Sequence, residues 1–398
     1  MSGGSAPNAP DSGIKKGGNI SIRARSLFVS DGSVLATTTI RQATNRNAAE
    51  RTNAGDININ LLDNLFVSGG AQLRSDTYAQ GDAGNISVHA AGDIVFDGVA
   101  VVNNAFTPSG VSSSVSFDSK LGRGIGNAGS VTITGRSLSL INGAALISGT
   151  SGLGDANDIM IDVSGAIRVA GFDRSSGFFS QINSAVDSGV VGKGGNITLK
   201  AASASLENLA RLSTVTAGMA GEKRADAGNI ALTVGGDFSV TGGAQLRSDT
   251  FGQGNAGNIK IQTGGSATFD GIAVSNGSPV LVNRIPFVSG ISSSVGSDAT
   301  NQLTGEGNAG NIYLIVEKNL FVTNGAQLTS ITTGQGNAGN IKIQTSGSVT
   351  VDGFAVANNY PVLVDGSPFL SGISSGVTGT GRGGSIQVKA DSLSIEPI

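Results

Sequence analysis

Gly254-Asn255-Ala256-Gly257-Asn258-Ile259 reads GNAGNI, and its closing Gly-Asn-Ile returns, intact or slightly varied, along the whole chain. The starts are Gly18-Asn19-Ile20, Gly55-Asp56-Ile57, Gly84-Asn85-Ile86, Gly129-Ser130-Val131, Asn157-Asp158-Ile159, Gly195-Asn196-Ile197, Gly228-Asn229-Ile230, Gly257-Asn258-Ile259, Gly310-Asn311-Ile312, Gly339-Asn340-Ile341 and Gly384-Ser385-Ile386. A fixed start signal repeated in this way means stacked copies of one structural unit. Eleven starts bound ten complete units.

Successive starts lie 37, 29, 45, 28, 38, 33, 29, 53, 29 and 45 residues apart, which separates compact units near 29 from units swollen to between 38 and 53. Compact units run DININLLDNLFVSGGAQLRSDT from Asp56, NIALTVGGDFSVTGGAQLRSDT from Asn229 and NIYLIVEKNLFVTNGAQLTSIT from Asn311. Long units open the same way and then depart after Gly98, Gly271 or Gly353, returning through VSSSV, ISSSV or ISSGV. The order compact, compact, long, compact, long fits residues 20–196 and again 197–385. This reads as the duplication of a five-unit block within one continuous array over 17–398, preceded by a polar lead-in over 1–16.

Within a unit, apolar and polar residues alternate, as in Ile57, Ile59 and Leu61, which is the period of a half-buried strand. Each compact unit holds about three such runs divided by Gly, Asn, Asp and Ser, the residues of tight bends. Three strands and three bends make one coil, and coils stacked about 4.8 Å apart bury a continuous apolar column. The expected fold is all-β: a right-handed parallel β-helix of about ten coils, with loop insertions on alternate coils. Asn85, Asn196, Asn229, Asn258, Asn311 and Asn340 then share one corner with Asn19, where side-chain amides can bond up the stack and Asn tolerates a left-handed backbone. Asp56 and Asp158 accept but do not donate, so the ladder is expected to break there.

GNAGNI, an LFV-type strand, GAQL and a Ser/Thr run together resemble the repeat region of filamentous haemagglutinin-like exoproteins, especially cyanobacterial ones, over 17–398. That resemblance implies a secreted parallel β-helix, exported through a dedicated outer-membrane partner pore and held on the outer cell surface or released as an adhesin. The Asn-Pro-Asn-Gly type motif usual in the secretion domain of that family does not occur, and MSGGSAPNAPDSGIKK has no apolar core of a signal peptide. The chain is therefore expected to be a stretch of a longer extracellular protein.

With 25 basic and 28 acidic side chains and no block of like charge, neither a nucleic-acid groove nor a polybasic membrane patch is indicated. No cofactor is indicated; without Cys there is neither a disulfide nor a thiolate metal site. The single histidine, His89, falls on an outward strand position whose counterparts are Gln262 and Gln344, which leaves a hydrolytic triad unsupported. Asp97, Asp270 and Asp352 precede Gly at the mouths of the long loops and read first as turn residues. Arg74 with Asp76, and Arg247 with Asp249, read as surface ion pairs of little weight.

The insertions are the better place to look for function. They carry Phe106, Pro108, Val280, Pro286, Phe287, Tyr360, Pro361 and Phe369, apolar content that must either cover the rod or meet a partner. The expected function is not enzymatic: an adhesive rod segment of a secreted surface protein, contacting a cell-surface or matrix glycan or protein, with end-to-end or lateral self-association. The rival is a polysaccharide-binding or polysaccharide-degrading β-helix, for which three tyrosines and no tryptophan are a sparse set of stacking platforms.

Overall fold

Ile57, Ile59 and Leu61 turn inward while Asn58 and Asn60 face solvent, and this alternation repeats in the opening strand of nearly every unit. The computed structural model describes residues 16–39, 52–78, 80–118, 122–218, 225–282, 284–296 and 304–396, so the lead-in expected over 1–16 lies, apart from Lys16, outside the described residues. The chain is all-β and β-helix-like: it visits three long parallel sheets in rotation and returns one strand higher each time.

The first sheet holds eleven strands, from Ile20–Ala24 and Ile57–Leu61 up to Ile341–Thr345 and Ile386–Lys389. All eleven start residues stand in one register, Ile20 beside Ile57, Ile57 beside Ile86, and so on to Ile341 beside Ile386. A second sheet of eleven strands runs from Leu27–Val29 to Ser392–Glu396, and a third gathers the GAQL strands with the strands that follow the insertions. Register is kept there too: Leu246 lies between Leu212 and Ile291, and Leu328 between Ile291 and Ile373.

One apolar cluster runs inside the three sheets from Ile20 to Val351. Its filling is set strand by strand. Phe238 lies between Ala204 and Ala267 in the second sheet, so one large ring occupies room that two small neighbours leave free, and its ring meets Phe269 edge-on at 6.0 Å.

A buried hydroxyl also ties successive start motifs together. Ser248 donates to Gly228 O at 2.6 Å and accepts from Gly257 N at 2.9 Å, tying one start motif to the next. Ser75, Ser293 and Ser330 do the same. The start glycine is required by this closeness: a Cβ on Gly257 would lie 2.1 Å from Gly228 O and 2.7 Å from Ser248 Oγ.

The corner ladder rests on backbone donors. The N–H of Asn229 donates to Asn196 Oδ1 at 2.9 Å, Asn258 N–H to Asn229 Oδ1 at 2.8 Å, Asn311 N–H to Asn258 Oδ1 at 2.9 Å and Asn340 N–H to Asn311 Oδ1 at 2.9 Å. Side-chain amides reinforce the first three rungs. Two expectations need correction. Asp56 does not break the ladder: its own N–H reaches Asn19 Oδ1 at 2.8 Å and its carboxylate accepts from Asn85 N–H at 2.9 Å, because an acceptor is all the rung requires. The gap lies above Ser130, whose short side chain leaves Asp158 N–H to bond Asn157 Oδ1 instead; Asp158 resumes the ladder by accepting from Asn196 at 2.7 Å. Nor do these Asn residues take a left-handed backbone; that conformation belongs to Asn142, Asn208 and Asn324, at the bend before the third sheet.

The other Asn of GNAGNI carries a second, parallel ladder through Asp226, Asn255, Asn308 and Asn337, with N···O distances of 2.7, 2.9 and 2.9 Å.

Candidate functional site

The four insertions at 98–109, 171–180, 271–289 and 353–371 leave the coil at the bend before the third sheet, whereas a small hairpin of Phe117–Asp118 with Gly122–Arg123 follows a third-sheet strand. In compact coils that bend is a left-handed pair such as Asn324-Gly325 or Gly242-Gly243. In long coils the chain departs at Gly98, Gly171, Gly271 or Gly353, each with φ between 75 and 90°. It returns at a serine, buried Ser109, Ser180 and Ser289 or half-buried Ser371, whose Oγ accepts from the bend glycine of the coil below (Gly70, Gly143, Gly243, Gly325) at 2.9 Å in every case. The GAQL glutamine is the second clamp. Gln72, Gln245 and Gln327 donate to Pro108 O, Val288 O and Leu370 O at 3.1, 3.1 and 2.6 Å, seating the next insertion on the flank. A Cβ at Gly325 would lie 2.7 Å from the Ala355 Cβ, so the insertion rides directly over the compact bend.

The insertions differ above this shared base. Residues 98–109 form one hairpin, Val99–Val102 against Ala105–Pro108, turning through left-handed Asn103 and Asn104. Residues 271–289 form two, Val274–Ser275 with Ser278–Pro279 and Leu281–Val282 with Ile285–Pro286; residues 353–371 repeat this as Val356–Ala357 with Tyr360–Pro361 and Leu363–Val364 with Ser367–Pro368. A ring of backbone bonds closes each pair: Ala273 N–H to Phe287 O at 2.7 Å, Val280 N–H to Ala273 O at 2.9 Å, Phe287 N–H to Val280 O at 2.8 Å. Ala355, Val362 and Phe369 make the same ring at 2.7, 2.8 and 2.9 Å. The sequence signal is a seven-residue repeat ending in proline, AVSNGSP then VLVNRIP from Ala273, and AVANNYP then VLVDGSP from Ala355. Reading the insertions as single loops missed it.

The two double hairpins share a small core of Ile272, Ala355 and Val362, flanked by Val288, Ala357 and Phe369. The expected contact residues therefore divide. Pro286 is buried, Pro108, Val280, Phe287 and Phe369 are half-buried, and Phe106, Tyr360 and Pro361 face solvent, Tyr360 at 74% exposure. Covering the rod and presenting a surface are both realised, by different residues.

Between this wall and the outward face of the third sheet lies a groove of about 620 Å³, lined by Gln245, Arg247, Ser292, Gln327 and Thr329 on the sheet side and Pro286, Phe287 and Phe369 on the wall side. Beside it, Arg211 lies against a stacked pair of rings, 3.9 Å from the Phe179 centroid and 4.9 Å from that of Phe287, which are themselves 6.1 Å apart. Its Nε is buried without a partner, and burial, with Arg247 nearby, lowers its pKa to about 10. Arg247 itself is spent on Asp249 at 2.7 Å.

The carboxylates are engaged elsewhere. Asp249 is 2% exposed and accepts from Arg247 Nε, Ser292 Oγ and Ser294 N at 2.7, 2.7 and 2.9 Å; Asp76 is 1% exposed and does the same with Arg74, Ser112 and Ser114. These are not loose surface pairs, as the alternation of the strand suggested, but buried links between successive coils. Asp97 accepts from Asn142, and Asp270 from Thr323 and Asn324, so both cap the next bend; Asp352 has one buried oxygen without a partner. His89 is exposed and bonds Thr134 at 2.8 Å. Among the described residues no cluster of three or more His, Asp or Glu side chains is placed to hold a metal ion.

No family model, curated protein or solved structure matches the chain.

Proposed function

We propose that the chain is a rod segment of a secreted, cell-surface exoprotein: a right-handed parallel β-helix of about ten coils that attaches the cell to other cells or to matrix through its insertion flank. The right hand follows from the strong preference of parallel crossovers. The observation that supports attachment is the division of labour in the wall. Clamps and hydrogen-bond rings hold the hairpins rigidly, while Val274, Leu281, Val282, Ile285, Val356, Tyr360 and Leu363 stay exposed on it. Exposed apolar side chains on a rigid wall are the composition of a contact surface. The likeness of the repeat to filamentous haemagglutinin-like exoproteins supports the surface location and export through a partner pore. Polysaccharide cleavage has less support, because Asp76, Asp249 and Asp270 are all committed to neighbouring coils.

Beads coated with the protein test this reading. Wild type is expected to adhere to cells or matrix, and a variant carrying Leu281→Ser, Val282→Ser, Tyr360→Ser and Leu363→Ser is expected to lose most of that adhesion. Equal adhesion of both would remove the wall from the account.

A further inference from the structure

We infer that the groove beside the double hairpins binds a carboxylate-bearing polysaccharide, with the Arg211 guanidinium as the subsite for the carboxylate. This rests on the reading of the insertion flank as the contact surface and names the chemistry it contacts.

Arg211 is the unusual charge of the molecule. It has neither an acidic partner nor any hydrogen bond, whereas Arg74, Arg136, Arg168 and Arg247 each meet an Asp or Glu. The guanidinium lies over the Phe179 ring at 3.9 Å and beside that of Phe287 at 4.9 Å, the two rings stacking on each other at 6.1 Å, so its orientation is set by aromatic contact while its nitrogens keep no protein partner. A preoriented guanidinium is matched by a planar anion that accepts two parallel bonds, namely a carboxylate. Asp249, the acid that Arg247 holds, is already saturated by Arg247, Ser292 and Ser294 and makes no ion pair with Arg211. A ligand supplies the missing charge.

The groove indicates what carries that carboxylate. Gln245, Gln327, Ser292 and Thr329 recur along it at the spacing of the coils, and Phe287 and Phe369 form the opposite wall. Amides and hydroxyls facing aromatic rings suit sugar hydroxyls on one side and sugar C–H faces on the other. An extended acidic peptide would seek a free strand edge, yet the third-sheet strands here are paired on both sides, Gln245–Arg247 with Arg211–Ser213 below and Gly290–Ser292 above.

Calorimetric titration with trigalacturonate tests the inference, with its methyl ester and hexaglutamate as controls. Wild type is expected to bind trigalacturonate, and Arg211→Gln to bind it about tenfold more weakly or worse, the worth of one charge-assisted bidentate pair. Arg211→Lys, which keeps the charge and loses the fork, is expected to fall between. Ester and hexaglutamate are expected to bind no better than Arg211→Gln binds the acid. Equal binding of acid and ester, unchanged binding by Arg211→Gln, hexaglutamate binding as tight as trigalacturonate, or no binding of trigalacturonate by folded wild type would each overturn the inference. Bead adhesion that persists in that last case would leave the adhesive reading standing and remove only its acidic-glycan chemistry.

Discussion

The two halves of the duplication share a coil and differ in what they carry on it. In residues 20–196 the insertions before the third sheet are a single hairpin at 98–109 and a short loop at 171–180; in 197–385 they are two double hairpins with a common apolar core. The clamp beneath them is the same, since Ser109 and Ser180 are held by the bend glycines as Ser289 and Ser371 are. The difference teaches that coil register is set by short-range signals at the start motif, so the far bend can accept an excursion of any size. It also separates the halves at the proposed carboxylate subsite. Val34 occupies in the first block the position that Arg211 holds in the second, both fourteen residues after their start isoleucines, so the cationic clamp is a feature of one half only.

The shared part should break equally in both blocks. Gly84→Val and Gly257→Val each force a side chain to within about 2 Å of a carbonyl oxygen below, and each is expected to abolish cooperative folding, a loss above about 4 kcal/mol. A clear difference between the two in soluble yield and thermal unfolding would mean that the blocks do not share one register. The packing, by contrast, should separate them. Phe238→Ala empties the space between Ala204 and Ala267 and is expected to cost about 3–5 kcal/mol, while Leu65→Ala at the matching position of the first block costs about 2–5 kcal/mol, toward the lower end. Chemical denaturation of the pair measures this.

Arg211 sharpens the comparison further. Removing an unpaired, half-buried charge while keeping an apolar stem against the Phe179 ring, as Arg211→Met does, is expected to leave stability unchanged or raise it by about 1 kcal/mol. The folded pKa near 10 lies below the ordinary value of a guanidinium, so the unfolded chain holds this proton more tightly. The burden on the folded state is therefore full below about pH 10 and is relieved as pH rises from there toward the ordinary guanidinium range. Trigalacturonate binding should fade over the same rise, since the guanidinium loses its charge while the ligand stays ionised; binding that is flat to pH 11 would assign the anion site elsewhere.

The smallest effect is a gain. The ladder gap above Ser130 has no counterpart at Asn311, the matching residue of the second block. Ser130→Asn should restore the rung to Asp158 N–H and add about 0.5–1 kcal/mol, the net worth of one such bond.

Much of the coil was legible in the chain. Start residues, inward alternation and the leucine after Ala-Gln all depend on local periodicity, and each takes its expected place. What was hidden depends on contacts between coils. The acceptors of the ladder receive backbone N–H groups, which no side-chain reading of Asp56 could reveal. Asp76 and Asp249 look exposed by alternation and are buried because serines of the next coil fold over them. In the insertions the seven-residue repeat was visible in the string, whereas the meeting of Arg211 with Phe179 and Phe287, rings more than a hundred positions apart, was not.

Thermal unfolding of a variant in which residues 272–288 are replaced by the Asn-Gly bend of the compact coils tests the central claim most directly. If the coil is self-sufficient and the wall serves recognition, the variant should melt cooperatively within a few degrees of wild type, after the loss of some hairpin packing, and should no longer bind trigalacturonate. Loss of cooperative melting would contradict the account, because it would make the double hairpin a structural support of the stack.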